Sequence, residues 1–415
     1  MNKQQWKKNT VLFLGSQTMS LFGSSLVQYA IMWYITLETK SGVMMTISII
    51  CGFLPVFFLS PFAGVWADRY NRKMIIVLSD SMIAFTTLIL AILFLIGYDM
   101  IWLLFVASGI RAIGTAVQMP AVGAFLPQIV PEEKLTRVNG INASVQAMVM
   151  LVSPMLSGAL LTFASIEIIF FVDVVTAAIA AMILLFFLHV PAHNKAKEKQ
   201  TTGYFADMKE GIGYIRQHRF IMRYFLFCAG FFLFIAPVSF LTPLQVVRSF
   251  GDEVWRLTAI EIAFSIGMMG GGAIMAAWGG FRNRIHSMAF ACMGVGIGTL
   301  ALGIVPNFWV YLAVMAAIGI TIPIFNTPAT VLLQETVDMD FLGRVFSVLS
   351  MISSSVMPLG MLFFGPLSDV VRIEWMLVAT GLMIAVQAVF LRFDRALLTA
   401  GEPLAGAKMK EDVIE

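Results

Sequence analysis

Gly64-Val65-Trp66-Ala67-Asp68-Arg69-Tyr70-Asn71-Arg72-Lys73 stands between two long apolar runs, Met44–Trp66 and Met74–Gly97. Each run is longer than the ~20 residues that cross a hydrocarbon core. The charged stretch therefore reads as a tight turn between two membrane spans, with no room for a soluble domain. Placement of cations at a membrane boundary explains Arg69, Arg72 and Lys73 by itself. It does not explain Gly64 and Asp68 at fixed distances from them. Such a loop suits a part that opens and closes: it ties two helices together while Asp68 and the cations pair with groups on a moving neighbour. Asn71 is a residue that can take a left-handed turn, being the next choice after Gly for that backbone.

Composition extends the same reading to the whole chain. Of 415 residues, 59% are hydrophobic and 12% charged, about half the ~25% charge of a soluble domain. The charges cluster between apolar runs, which number about twelve. Besides the two above they are Thr10–Thr36, Ile101–Gly123, Gly140–Phe163, Ile166–Leu188 and Phe220–Val247. The rest are Trp255–Trp278, His286–Ile304, Asn307–Val331, Arg344–Leu367 and Trp375–Leu391. An all-α integral membrane protein of about twelve transmembrane helices is expected.

With the N-terminus inside, 22 of the 27 Lys and Arg fall on the cytoplasmic side. Four (Lys40, Arg248, Arg256 and Arg372) fall outside, and Arg111 lies within a span. That asymmetry predicts cytoplasmic N- and C-termini. The first run is too long for a signal peptide and has no small-residue cleavage site, so it reads as a retained helix. A net charge of +3, scattered along the boundary, gives no support to a nucleic-acid partner.

The chain also reads as two halves. Ala112-Ile113-Gly114 recurs as Ala317-Ile318-Gly319, and Pro120-Ala121 as Pro328-Ala329. Gln128 with Arg137 recurs as Gln334 with Arg344. Four correspondences in order suggest duplicated six-helix halves, residues 1–190 and 220–395. Residues 191–219 form the linker and 396–415 a cytoplasmic tail. In the linker Phe205, Met208, Ile212 and Ile215 fall near one helical face, which fits either a surface-lying amphipathic helix or a plain connection.

The Gly64–Lys73 stretch resembles the major facilitator superfamily signature G-x-x-x-D-R-x-G-R-[RK], with Asn71 in place of a glycine. Other stretches resemble, more narrowly, the macrolide-efflux branch of bacterial drug:proton antiporters. They are Gln28-Tyr29-Ala30, Ile110-Arg111-Ala112-Ile113-Gly114-Thr115-Ala116, Pro131-Glu132-Glu133-Lys134-Leu135-Thr136 ahead of span five, Thr258-Ala259-Ile260-Glu261-Ile262, and Leu342-Gly343-Arg344-Val345-Phe346-Ser347 ahead of span eleven. The resemblance covers nearly the whole chain. It implies a fold of two pseudo-symmetric halves around a central cavity in a bacterial cytoplasmic membrane. It also implies export of amphipathic, macrolide-like small molecules by alternating access, coupled to protons, by a monomer without cofactors. The gating set implied is Gly64, Asp68, Arg69, Asn71, Arg72, Lys73 and Arg344. Two departures stand out. The antiporter signature G-x-x-x-G-P-x-x-G-G survives only as Ser153-Pro154-Met155-Leu156-Ser157-Gly158, and the second-half loop, Gly280-Phe281-Arg282-Asn283-Arg284, has cations but no aspartate.

Charged groups inside spans are expensive, at about 2.5–3.5 kcal/mol on insertion scales, so they face a cavity or a partner. Glu261 in span eight is the leading proton-coupling candidate: in hydrocarbon its neutral form is favoured, and competition between a proton and a cationic solute is one physical basis for antiport. The alternative is permanent pairing with a cation that locks helices together. Arg111 in span four is read as a coupling or substrate group, or as a donor to backbone carbonyls. Asp173 in span six is a coupling candidate whose simpler role is a helix-packing hydrogen bond. Asp80 reads as an interfacial partner for the Arg69–Lys73 cluster. Gln28, Tyr29, Trp33, Asn142, Gln146 and Asn326 are candidate cavity residues, and abundant Met and Phe suit a pliable pocket.

Other chemistry finds little footing. His189 and His193 have i,i+4 spacing, but Pro191 between them argues against a metal-holding helix. Cys51, Cys228 and Cys292 all lie within spans and suggest no disulfide framework. There is no G-x-x-x-x-G-K-[ST] or G-x-S-x-G motif, which disfavours an ATP-driven pump and a serine hydrolase. No enzyme, metal or cofactor is expected. A siderophore or metabolite exporter on the same fold, or a channel, are the remaining readings.

Overall fold

The computed structural model describes residues 3–188 and 213–401. Among these residues there are helices and connections but no strand. The first six long helices are α1 (Lys3–Thr39), α2 (Gly42–Arg69), α3 (Arg72–Leu95), α4 (Ile101–Ile129), α5 (Glu132–Phe163) and α6 (Ile166–Met182), the last ending in a π-helical turn, Ile183–Phe187. Then come α7 (Arg219–Phe240), α8 (Thr242–Ser249), α9 (Val254–Trp278) and α10 (Arg284–Leu302). The chain closes with α11 (Phe308–Thr336), α12 (Met339–Val370), α13 (Ile373–Phe393) and the short α14 (Arg395–Ala400). Among the described residues twelve segments are long and apolar enough to span a bilayer, α7 and α8 together forming one of them.

The helices outrun the apolar cores that announced them. The apolar run from Gly140 begins structurally at Glu132, and the run from Arg344 begins at Met339. Both motifs expected ahead of spans five and eleven are therefore largely opening turns of helices. Hydrophobicity marks the lipid-crossing part, whereas backbone hydrogen bonding continues into the headgroup region until a cap stops it. Those caps are legible. Asn71, Asn283 and Asn307 each accept a backbone N–H at the start of α3, α10 and α11, and Asp394 does so for α14. Asn71 has φ −67°, so the left-handed turn expected of it does not occur; the residue serves as an N-cap. Asn283 does the same job at the matching place in the second-half loop, after Gly279 and Gly280, which take φ of 73° and 85°.

The chain divides into two compact units. Unit 1 holds the described residues of 1–40, 44–200 and 252–258. In it α1 packs on α5 and α6, and α3 packs on α4 and α6. One apolar cluster joins Leu26, Ile31, Leu90, Phe94, Leu104 and Phe170, and a second joins Phe13, Ile76, Phe125, Leu126 and Leu184. Unit 2 holds the described residues of 41–43, 201–251 and 259–415. There α10 packs on α11 and α13, and α7 packs on α12 and α13. Large apolar side chains such as Phe163, Val370 and Leu226 are left almost fully exposed, at 89%, 86% and 74%. Exposure on that scale needs lipid as the solvent.

Of the linker, residues 213–219 are described, with 213–217 as one helical turn and Arg219 opening α7. Ile215 is buried there, and Tyr214 stacks on Phe341 at 4.3 Å. Tyr214 also donates its hydroxyl to Asp338 Oδ2 at 3.1 Å, and burial pushes its phenol pKa up. Phe205, Met208, Ile212, His189 and His193 lie outside the described residues.

Candidate functional site

Unit 1 buries its charges in two tiers. In the first, Arg111 Nη1 of α4 meets Asp173 Oδ2 of α6 at 2.6 Å, with side-chain exposures of 7% and 0%. Thr87 of α3 donates to the same oxygen at 2.9 Å and also receives Arg111, while Ser24 of α1 donates to Asp173 Oδ1 at 3.2 Å. Arg111 Nη2 reaches the Ser24 carbonyl at 3.2 Å. Two candidates placed separately in spans four and six thus form one ion pair satisfied by four helices. In the second tier, Asp80 Oδ1 accepts from Ser20 of α1 at 2.8 Å and from Gln118 of α4 at 2.5 Å. Asp80 is 1% exposed. The expectation that it serves as an interfacial partner for the basic loop is therefore wrong: seven residues beyond Lys73 is two helical turns, far enough to carry it into the core.

The loop cations find other partners. Arg72 donates to the carbonyls of Ala67 and Ala124, each at 2.9 Å, and Lys73 to those of Leu185 and Leu188 at 3.2 and 2.9 Å. Cations so placed satisfy carbonyls at or near the ends of α2, α4 and α6. Arg69 is exposed at the last turn of α2. The Asp68 side chain lies outside the described residues. A Cβ at Gly64 would meet nothing within 4 Å, so packing within the described structure does not demand glycine there. Arg344 is half-buried, its guanidinium over the Phe341 ring at 5.3 Å.

In unit 2, Glu261 on α9 is half-buried and lines a cavity of about 150 Å³ with Ser239, Thr242, Phe264, Met315 and Ile318. No hydrogen bond or ion pair holds it among the described residues, and no group of three or more metal-ligating side chains is found among them. Close helix approach sets the cavity wall: a Cβ on Gly267 or Gly271 would overlap the carbonyls of Ala316 or Ile320 on α11. Substitution-intolerant spacing of small residues is the reason α9 and α11 can meet backbone to backbone.

A further acid cluster escaped the sequence reading. Asp369 at the end of α12 accepts from Gly42 N at 2.7 Å, Val43 N at 3.0 Å, Ser41 Oγ at 2.8 Å and Arg248 Nη2 at 2.6 Å. It caps the start of α2, where carboxylate and helix dipole attract. In unit 1, Lys40 Nζ meets Asp252 at 2.8 Å, and that hydrogen bond lowers the Asp252 pKa.

Of the cavity candidates, Gln28, Gln146 and Asn326 are exposed, and Tyr29 and Asn142 half-buried. Trp33 is fully buried against Tyr29 at 5.6 Å between ring centroids and so lines no open surface of unit 1. Cys51, Cys228 and Cys292 are unpaired thiols. The partners missed in α1 and α3 carried a faint signal: Gln17, Ser20, Ser24 and Gln28 recur on one helical face, and Thr87 follows Asp80 by two turns.

Long apolar helices with buried polar tiers define a polytopic membrane protein, and comparison gives its class: residues 13–361 match the Major Facilitator Superfamily, so the chain belongs to that family of transporters, which is not an enzyme family. It is a multi-pass membrane protein. It is 29% identical to macrolide efflux protein A of Streptococcus pyogenes over 387 residues, 92% of this chain and 95% of that one. It is 22% identical to the staphyloferrin A transporter of Staphylococcus aureus, over 87% and 90% of the two chains. Among solved structures, a bacterial homologue of the human lysosomal transporter Spinster superposes with a TM-score of 0.69 at 15% identity, covering 97% of this chain and all of that one, a likeness of fold.

Proposed function

We propose that this protein exports amphipathic small molecules, macrolide-like compounds first among them, from the bacterial cytoplasm by proton-coupled alternating access. Both termini face the cytoplasm, and two six-helix halves, 1–190 and 220–395, are joined by the 191–219 linker. The observation that carries the reading is Glu261, a carboxylate two turns into a spanning helix that opens on a cavity and has no partner among the described residues. Such a group gains or loses a proton at the least structural cost, and its ionised form attracts a cationic solute. The cavity's ~150 Å³ holds an ammonium-sized headgroup and not a whole macrolide, so the bulk of the solute sits elsewhere. Arg111 and Asp173 act as a fixed pair that stiffens unit 1, with Asp68 and the cations of its loop as the cytoplasmic gate. Likeness over nearly the full length to macrolide efflux protein A supports the substrate class. A siderophore cargo is the second reading, favoured by the similarity to the staphyloferrin A transporter.

Expression in a pump-deleted bacterial host, with a susceptibility panel read with and without an uncoupler, tests the proposal. Raised macrolide tolerance that the uncoupler abolishes is expected. Unchanged tolerance to every macrolide removes the substrate class, and tolerance indifferent to the uncoupler removes the protons.

A further inference from the structure

Only three charged residues fall in the buried class among the described residues: Asp80, Arg111 and Asp173, all in unit 1. Arg111 and Asp173 neutralise one another. Asp80 has no cation of its own, so the fully ionised set carries one uncompensated negative charge in the membrane interior, where isolated charge is costly. The hydrogen bonds around Asp80 are lopsided as well. Oδ1 accepts both Ser20 and Gln118, while the buried Oδ2 has no partner. Gln17 lies beside the carboxyl, and its own buried Nε2 has no partner either.

A neutral carboxylic acid fits this pattern. Its carbonyl oxygen accepts two donors, and its hydroxyl seeks one acceptor. Exchanging the oxygen and nitrogen of the Gln17 amide, which are alike in shape, would turn an acceptor toward that hydroxyl. A metal cation fits less well, because the Ser20 and Gln118 hydrogens already converge on the carboxyl group. We propose that Asp80 is an exchangeable proton-binding site inside unit 1, with the proton on Oδ2 held by Gln17, and Ser20 and Gln118 fixing Oδ1. This second protonation site is separate from Glu261. It deepens the reading of proton-coupled export, but it is detectable without any exported solute.

The test is infrared spectroscopy of the full-length protein in proteoliposomes, recorded across a pH titration in potassium buffer. The wild type should show a carboxylic-acid carbonyl band that disappears on alkalinisation and is lost in Asp80→Asn. Gln17→Leu should keep the band but move it to higher frequency, because the acid has lost its hydrogen-bond acceptor. Identical bands in the wild type and a helical Asp80→Asn would overturn the proposal, and so would a Gln17→Leu band unmoved from the wild-type position. If Asp80→Asn does not fold, Gln17→Leu alone decides. Suppression of the band by sodium in place of potassium at fixed pH would make this a sodium site and sink the proton assignment. A protein that exports no macrolide would still give these spectra, so the two readings fail separately.

Discussion

Removing either member of the Arg111–Asp173 pair should damage the protein more than removing both. The side chains are 7% and 0% exposed and meet at 2.6 Å, so water cannot rescue a charge left behind. Stranding one partner of such a pair costs about 3–5 kcal/mol, two to three and a half orders of magnitude in the folding equilibrium at about 1.4 kcal/mol per tenfold. Arg111→Met and Asp173→Leu each strand a charge; the double variant strands none. It still loses the bonds from Ser24 and Thr87 to Asp173, at about 0.5–1.5 kcal/mol each. The double variant should therefore lie only about 1–3 kcal/mol below the parent, milder than either single change. Reversible unfolding in mixed micelles, followed by circular dichroism, reads all three. Additive losses, with the double variant worst, would mean that the two residues contribute separately and that no ion pair organises this tier.

The proposed orientation, which places 22 cations on the cytoplasmic side and four outside, is tested by labelling: a cysteine introduced at Asp99 should react with an impermeant reagent in intact cells, and one within residues 195–199 should not. Gly271→Val should abolish folded yield, since even a Cβ would overlap the Ile320 carbonyl, whereas Gly270→Ala, with nothing within 4 Å, should express like the parent; equal yields would show that α9 and α11 do not meet at Gly271. Glu261→Gln imitates the protonated acid, so proteoliposomes should lose uphill, proton-driven accumulation of a macrolide while downhill exchange persists. Normal uphill transport by that variant would take the coupling role away from Glu261.

The bilayer's demands explain why so much of the fold was legible. Every spanning helix must be continuously apolar and internally hydrogen-bonded, so a run such as Met74–Gly97 leaves little choice, and α3 indeed covers Arg72–Leu95. Ends are set by something else. The cap at Asn71 was misread because family glycine suggested a left-handed residue, while Asn at a helix start has a more general use: its side chain accepts the Lys73 N–H. The starts of α5 and α12 lay ahead of the apolar runs because polar residues that cannot cross the membrane can still continue a helix beside it.

The site was harder because cost is a property of one residue and pairing is a property of several. Hydrophobicity alone says that Asp80, Arg111, Asp173 and Glu261 need an explanation; it cannot say which of them explain each other. Arg111 and Asp173 are 62 residues apart and become one neutral unit through α4 and α6. Asp80 looked interfacial because its nearest cations in sequence are loop residues, yet those cations satisfy helix-end carbonyls and leave the acid to Ser20 and Gln118. Once the Arg111–Asp173 pair is subtracted, Asp80 in unit 1 and Glu261 in unit 2 are left without a cation among the described residues. An intramembrane acid without a cation is stable chiefly as a neutral acid. On the two proposals above, each of them holds an exchangeable proton, one site in each unit.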